Sequence, residues 1–364
     1  MIFAERGKAD KLCRLKEHSS DGVYVLIFGG RGYERSVSVQ GALRLALAAE
    51  VRDDLALIYV DEVGSFNLWL ADRDRISSGD LDPKHLLPID IVMRCGVGGI
   101  ACGEDFIRIK RAFPLLHGDY GEDGTPQGLL KSLGIPFVGA DTLGSAVCCD
   151  KAYAKAAAMN AGVPTLPYAV IYEDDTDADA LAKAKKIGYP VFIKPCRLGS
   201  SVGAHIARCE SELESAIRDS RRYAKRLISE PALINKKEIE CAYFSLCGEN
   251  LIAYPGEVSY VGEFYDYNAK YGCKETKIYP KANIPKNVAE RIMAYTASLR
   301  SCLSVRHIAR FDYFLTESGE IYFNEVNTIP GMTEGSLYPA MLKESGIEFS
   351  GLAERLLFSE VTSW

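Results

Sequence analysis

A chain of 364 residues is long for one core and points to two or three domains. With 48% hydrophobic and 25% charged residues it has the composition of an ordinary globular protein, and no apolar run is long enough to span a bilayer. The formal charge of −6, from 43 basic and 49 acidic side chains, argues against a nucleic-acid binder, which carries a basic stripe.

The first twenty residues mix charges (Glu5, Arg6, Lys8, Asp10, Lys11) and lack the apolar centre of a signal peptide. They form a helix or a loose arm ahead of the first strand. Eleven cysteines are an odd number without a CxxC pair, which suits small buried residues in a reducing cytoplasm. Neither they nor the five histidines show zinc-ligand spacing.

Residues 23–28 read as a buried strand that ends in Gly29-Gly30-Arg31-Gly32. A helix over 37–49 and a strand over 55–60 complete a βαβ start and imply a parallel sheet. The glycines make half of a dinucleotide fingerprint, a weak signal alone. Residues 61–90 read as loop-rich. Phe113 to Gln127 is a strand, a loop with three glycines and a helix start, which places His117 and Glu122 at the carboxyl end of a strand, where open α/β sheets bind ligands. Asp150-Lys151 opens an alanine-rich helix, and Gly162-Val-Pro164 ends it.

A strand then ends at Lys194, ahead of Gly199-Ser200-Ser201-Val-Gly203. Backbone amides and hydroxyls of such a loop wrap phosphate oxygens while the ammonium neutralises charge. No lysine follows the glycines, so this is not a P-loop. A strand over 227–230 ends in Glu230, and Glu238 and Glu240 precede a strand over 241–247. The stretch 260–271 packs tyrosines and a phenylalanine around Lys270. Helix 287–303 has apolar residues at core spacing.

Strands 309–315 and 321–326 are joined by Glu317-Ser318-Gly319-Glu320. A turn centred between Ser318 and Gly319 sets Asp312 opposite Glu325 and Arg310 opposite Asn327, all on one face. Opposed like charges are unfavourable on a sheet. Two carboxylates and an amide oxygen belong together if a hard divalent cation sits among them.

The strings ARFD, FNEVNTIPGMT and SLYP resemble the C-terminal signature of the D-alanine–D-alanine ligases, a branch of the ATP-grasp superfamily. HGDYGEDGTPQG, GRGYERSVS and FYDYNAKY extend the resemblance from about Val23 to the last helix. It implies an α/β ATP-grasp fold of three domains, with a parallel-sheet N-terminal domain at 21–138 after an extension at 1–20. A central subdomain at 139–236 and a C-terminal subdomain at 237–364 follow. It further implies ATP and two Mg²⁺ (or Mn²⁺) ions, and a cytoplasmic homodimer.

By resemblance, Glu34 holds the ammonium of the first D-alanine; Ser36 stands where relatives often have a second acidic residue. His117 and Glu122 line the D-alanine pocket. Lys151, Lys194 and Ser201 bind the nucleotide, Glu230 accepts from the adenine amino group, and Glu238 holds the ribose. The spacing from Glu230 to Glu238 is about one residue longer than the family pattern. Lys270 covers the transferred phosphoryl group from a lid, and Tyr271 closes a network with Glu34 and Ser200. Asp312, Glu325 and Asn327 bind Mg²⁺, and Arg310 and the Gly331 amide face the oxyanion. Ser336 holds the acceptor carboxylate, beside an apolar wall at Leu337. D-Alanyl-D-alanine is the expected product, through a D-alanyl phosphate, for peptidoglycan precursors. A D-serine or D-lactate ligase of the vancomycin-resistance type, another carboxylate–amine ligase and an inactive nucleotide-binding protein are the alternatives.

Overall fold

The computed structural model describes residues 15, 21–49, 52–260, 262 and 276–361. The N-terminal extension apart from Leu15, and Lys270 and Tyr271, lie outside them. Among the described residues no helix is long and apolar enough to cross a membrane.

The first sheet contains β1 (Val23–Gly29), β2 (Leu55–Val60), β3 (Phe66–Trp69), β4 (Leu86–Pro88), β5 (Asp90–Arg94), β6 (Val97–Cys102) and β7 (Asp105–Leu115), in the order 4-3-2-1-7-6-5. β1 pairs in parallel with β2 and β7, and the outer pairs are antiparallel. β2 is buried along its whole length and β1 nearly so, as a continuous apolar run in the middle of a covered sheet requires. Helix α1 (Arg35–Ala48) makes the crossover from β1 to β2. The stretch expected to be loop-rich holds β3, β4 and α2 (Arg73–Ser78), elements too short to show a period.

The second sheet, in the order 10-9-11-8, is antiparallel and built from β8 (Ala169–Ile171), β9 (Val191–Pro195), β10 (His205–Ala207) and β11 (Leu227–Pro231). The third is β12 (Lys236–Phe244), β14 (Gly256–Ser259), β15 (Lys277–Tyr279), β16 (Ile308–Thr316) and β17 (Ile321–Asn327), with β13 (Leu251–Ile252) paired to β12. β12 begins well before residue 241, because Lys236, Glu238 and Glu240, which line the cavity, alternate with other residues, among them the fully buried Ile239 and Cys241. Helices α3 (Thr125–Ser132), α4 (Thr142–Cys149), α5 (Lys151–Asn160), α6 (Asp177–Lys185), α7 (Glu210–Ser220) and α8 (Lys286–Cys302) follow in chain order. They are succeeded by α9 (Leu337–Glu344) and α10 (Phe349–Phe358).

The end of the chain returns to its beginning. Leu352 and Leu356 of α10 share a core with Phe28 and Leu57, and Phe358 meets Tyr24 edge-on at 5.3 Å between ring centres. This packing holds the loop after β1 against the segment before α9. A second core lies under the third sheet, with Phe311, Tyr313 and Phe323 against α5 and α8. Phe323→Ala is expected to remove about 3–5 kcal/mol of stability by leaving a cavity under β17. Chemical denaturation of the two proteins measures it, and a loss below about 1 kcal/mol would contradict this packing.

The hairpin β16–β17 has the expected pairs, Asp312 with Glu325 and Arg310 with Asn327. A bulge breaks the register between Asp312 and Tyr313, so that Tyr313 pairs with Phe323. Asn324 is the extra residue. Bulges re-aim side chains near sites, and Asn324 Oδ1 indeed accepts from Lys194 Nζ at 3.0 Å.

Candidate active site

Every described residue given a site role above lines one cavity of about 280 Å³. One end of it is made by the loops at the carboxyl ends of β1 and β7. Glu34 stands at the N-cap of α1, and its Oε1 accepts from Ser200 Oγ at 2.5 Å. This contact ties the first sheet to the loop after β9. A Cβ on Gly199 would lie 2.6 Å from Glu34 Oε2, so a side chain there would push the Glu34 carboxylate out of its place. Ser200 and Ser201 take positive φ values of 49° and 57°, uncommon for non-glycine residues. Strain of this kind clusters at ligand clamps.

His117 is buried beside Glu34, and among the described residues its Nε2 has no hydrogen-bond partner. Burial pulls its pKa down, against the pull of Glu34. The Glu122 carboxylate accepts from the amides of Gly118 at 3.2 Å and Ile329 at 3.0 Å. Burial, with the charge of Glu34 added, still pushes its pKa up to about 7. The folded state therefore binds the Glu122 proton more tightly than the unfolded chain. This contribution to stability is complete below pH 4.5 and is lost as pH rises to about 7. Glu122→Gln is expected to flatten that slope by about 2 kcal/mol. Urea denaturation of both proteins at pH 5 and pH 8 measures it, and identical pH dependences would contradict it.

Lys151 is placed by its helix. Asp150 caps α5 by accepting from the amides of Ala152 and Tyr153, and is itself paired with Arg226 at 2.7 Å. Lys151 Nζ donates to the Leu198 carbonyl at 2.8 Å and lies 3.2 Å from Glu325 Oε2. Lys194, on β9, donates to Asn324 and pairs with Glu230 Oε2 at 3.0 Å. The other Glu230 oxygen lies 2.7 Å from Lys155 Nζ. Glu238 accepts from Tyr260 Oη at 2.8 Å and lies 3.5 Å from Lys236 Nζ.

On β16 the Arg310 guanidinium grips Asp312 with two hydrogen bonds, Nε to Oδ1 at 2.8 Å and Nη2 to Oδ2 at 2.7 Å. It also lies 3.1 Å from Glu240 of β12, the residue that pairs with Asp312. Asn327 Nδ2 donates to Asp312 Oδ2 at 3.1 Å. Asp312, Glu325 and Asn327 therefore present oxygen donors on one face. At the other end Arg44 of α1 holds the carbonyls of Met332 and Thr333 at 3.1 and 2.7 Å. Ser336 Oγ accepts from the Thr333 amide at 3.1 Å and shares a hydrogen bond with the Thr333 hydroxyl at 2.8 Å, and a Cβ on Gly331 would lie 2.9 Å from it. Leu337 is buried and closes this end.

Two family models, for the N-terminus and the C-terminus of D-ala D-ala ligase, match residues 23–140 and 158–358. The chain belongs to the D-alanine–D-alanine ligase family. A D-alanine–D-alanine ligase of Thermoanaerobacter sp. is 36% identical over 349 residues, which is 93% of this chain and 96% of that protein. The D-alanine–D-alanine ligase of Streptococcus thermophilus is 35% identical over 337 residues, 92% of this chain and 94% of that one. Two solved structures show the ligase fold over similar lengths. The VanG D-Ala:D-Ser ligase from Enterococcus faecalis superposes with a TM-score of 0.82 at 34% identity, covering 91% of this chain and 97% of that one. The D-alanine–D-alanine ligase from Coxiella burnetii gives 0.80 at 26% identity, covering 93% of each.

Three residues of this ligase site escaped the reading of the sequence. Glu240 sits between Arg310 and the strand interior, Asn324 is displaced by the bulge, and Lys155 is wholly buried behind Glu230. Only Lys155 left a signal: it stands four residues after Lys151, on the same face of α5.

Proposed function

We propose that this chain joins two D-alanines into D-alanyl-D-alanine in a reaction driven by ATP, by way of a D-alanyl phosphate. One observation carries the reading. A single cavity brings the anionic end of Glu34 and Glu122 together with Lys151, Lys194 and the oxygen face of Asp312, Glu325 and Asn327. An ammonium, a polyphosphate and a divalent cation each find their counter-charge there.

The chemical difficulty is charge, because the carboxylate of the first D-alanine must approach an anionic γ-phosphate. Glu34 holds that substrate by its ammonium, with Ser200 fixing the carboxylate in place, while His117 and Glu122 bound the pocket. Lys151, Lys194 and Ser201 hold the phosphates, and Glu230 and Glu238 face the base and the sugar. The guanidinium of Arg310 has five donors, so pairing with Asp312 leaves N–H groups for the oxyanion formed when the second amine attacks. The Gly331 amide shares that oxyanion, and Ser336 binds the carboxylate of the second D-alanine. Lys270 and Tyr271, outside the described residues, complete the reading as a lid lysine over the phosphoryl group and a partner of Glu34 and Ser200.

Mg²⁺ or Mn²⁺, two ions in the family, suits the oxygen donors of Asp312, Glu325 and Asn327. Among the described residues no three His, Cys, Asp or Glu side chains gather as a cage, and Asp312, Glu325 and Asn327 would hold the ion through oxygen atoms, the donors Mg²⁺ takes. When bound, such ions neutralise phosphate charge. The division into domains at 21–138, 139–236 and 237–364 is proposed with the same reading, supported by sheets that each draw their strands from one range, save that β12 begins one residue early at Lys236. A cytoplasmic homodimer is proposed by analogy with the family, and light scattering of the purified chain checks the dimer.

A D-alanine–D-serine ligase is the second reading, favoured by the likeness to VanG. Buried Leu337 opposes it, since an apolar wall leaves a serine hydroxyl unpaired and disfavours it by roughly 1–3 kcal/mol. With D-alanine and D-serine at equal concentration, mass spectrometry is expected to show mainly D-alanyl-D-alanine. A product that is mainly D-alanyl-D-serine would favour the second reading.

A further inference from the structure

Lys155 has no exposed surface, does not line the cavity, and has no part in the reaction as set out above. Its Nζ lies 2.7 Å from Glu230 Oε1 and donates to the Phe323 carbonyl at 3.1 Å. Lys194, on the cavity side, takes the other oxygen of the same carboxylate at 3.0 Å. A buried carboxylate needs one cation, and a buried cation is costly to desolvate. Glu230 has two, so the cluster keeps one positive charge that ion pairing alone does not require.

We propose that Lys155 is a positioning residue for nucleotide binding: by engaging one oxygen of Glu230 from behind, it leaves the charge of Lys194 uncompensated for a polyphosphate. Lys194 is the member that can spend this charge on a ligand, because it alone of the two lysines reaches the cavity. Asn324, displaced by the bulge, steadies it from the other side at 3.0 Å. Burial pushes the Glu230 carboxyl up, and Lys155 and Lys194 more than reverse this, keeping it below its usual range. The carboxylate therefore stays ionised and keeps both lysines in register. The inference rests on the proposed use of ATP.

The test compares ATP with adenosine, which shares the base and sugar but lacks the phosphates. Affinities of both are measured by calorimetry on the full chain, in Mg²⁺, for the unmodified protein, Lys155→Met, Glu230→Gln and the double variant. Lys155→Met is expected to lower the ratio of ATP to adenosine affinity roughly 10- to 100-fold, the worth of a charge-assisted contact. The double variant, with the net charge restored, is expected to regain most of that ratio, and Glu230→Gln to equal or exceed the unmodified protein. If Lys155→Met does not fold, the order of the other three still decides. Equal losses for ATP and adenosine, or a double variant no better than Lys155→Met, would reduce Lys155 to a structural ion pair. So would a Glu230→Gln ratio below that of the double variant. Failure of the unmodified chain to bind ATP would instead overturn the ligase reading itself.

Discussion

Glu325→Gln is expected to lower kcat by on the order of 10³-fold or more while the protein stays folded. The substitution keeps the shape of a half-buried side chain but removes one of two anionic oxygen donors opposed across β16 and β17. It also releases Lys151, whose ammonium lies 3.2 Å from Glu325 Oε2. A cation that balances charge on the transferring phosphoryl group acts mainly in the transition state, so the loss falls on kcat more than on the KM for D-alanine. Phosphate release at saturating Mg²⁺ measures it, with a thermal melt to check the fold. A near-normal kcat would remove Glu325 from the metal site.

Glu34→Gln is expected to act differently. The carboxylate has two partners in the proposed complex, the Ser200 hydroxyl at 2.5 Å and the ammonium of the first D-alanine. Glutamine can still accept from Ser200 but offers no counter-charge to the substrate. The KM for the first D-alanine should rise by roughly 10- to 10³-fold, in line with the loss of a charged partner, with a smaller effect on the KM for ATP. Initial rates across D-alanine concentrations separate the two. An unchanged KM for D-alanine would show that Glu34 only fixes the loop at Ser200.

The face shared by Arg310, Asp312, Glu325 and Asn327 was legible in the sequence because alternation along two short strands determines which residues share a side. They share a face only when Asp312 is opposed to Glu325, because a one-residue slip turns a whole strand's residues to the other side. The bulge at Asn324 was not legible, since an extra residue leaves the outer pairs in place while moving its own side chain toward Lys194. The start of β12 was readable in principle from the alternation of Lys236, Glu238 and Glu240. Lys155 left only its spacing from Lys151 as a signal, because a lysine in an alanine-rich helix otherwise reads as solvated. Its burial depends on Glu230, 75 positions away, and on β17 lying over it. The return of α10 onto β1 is likewise a long-range contact between two apolar segments, each of which only declares that it needs a partner.

The most direct measurement supplies the purified chain with ATP, Mg²⁺ and D-alanine as the only amino acid, and counts phosphate and dipeptide from the same samples. One phosphate for each D-alanyl-D-alanine, with no release when D-alanine is omitted or replaced by L-alanine, is the predicted result. Phosphate release that is indifferent to D-alanine, or binding of ATP with no dipeptide formed, would contradict it.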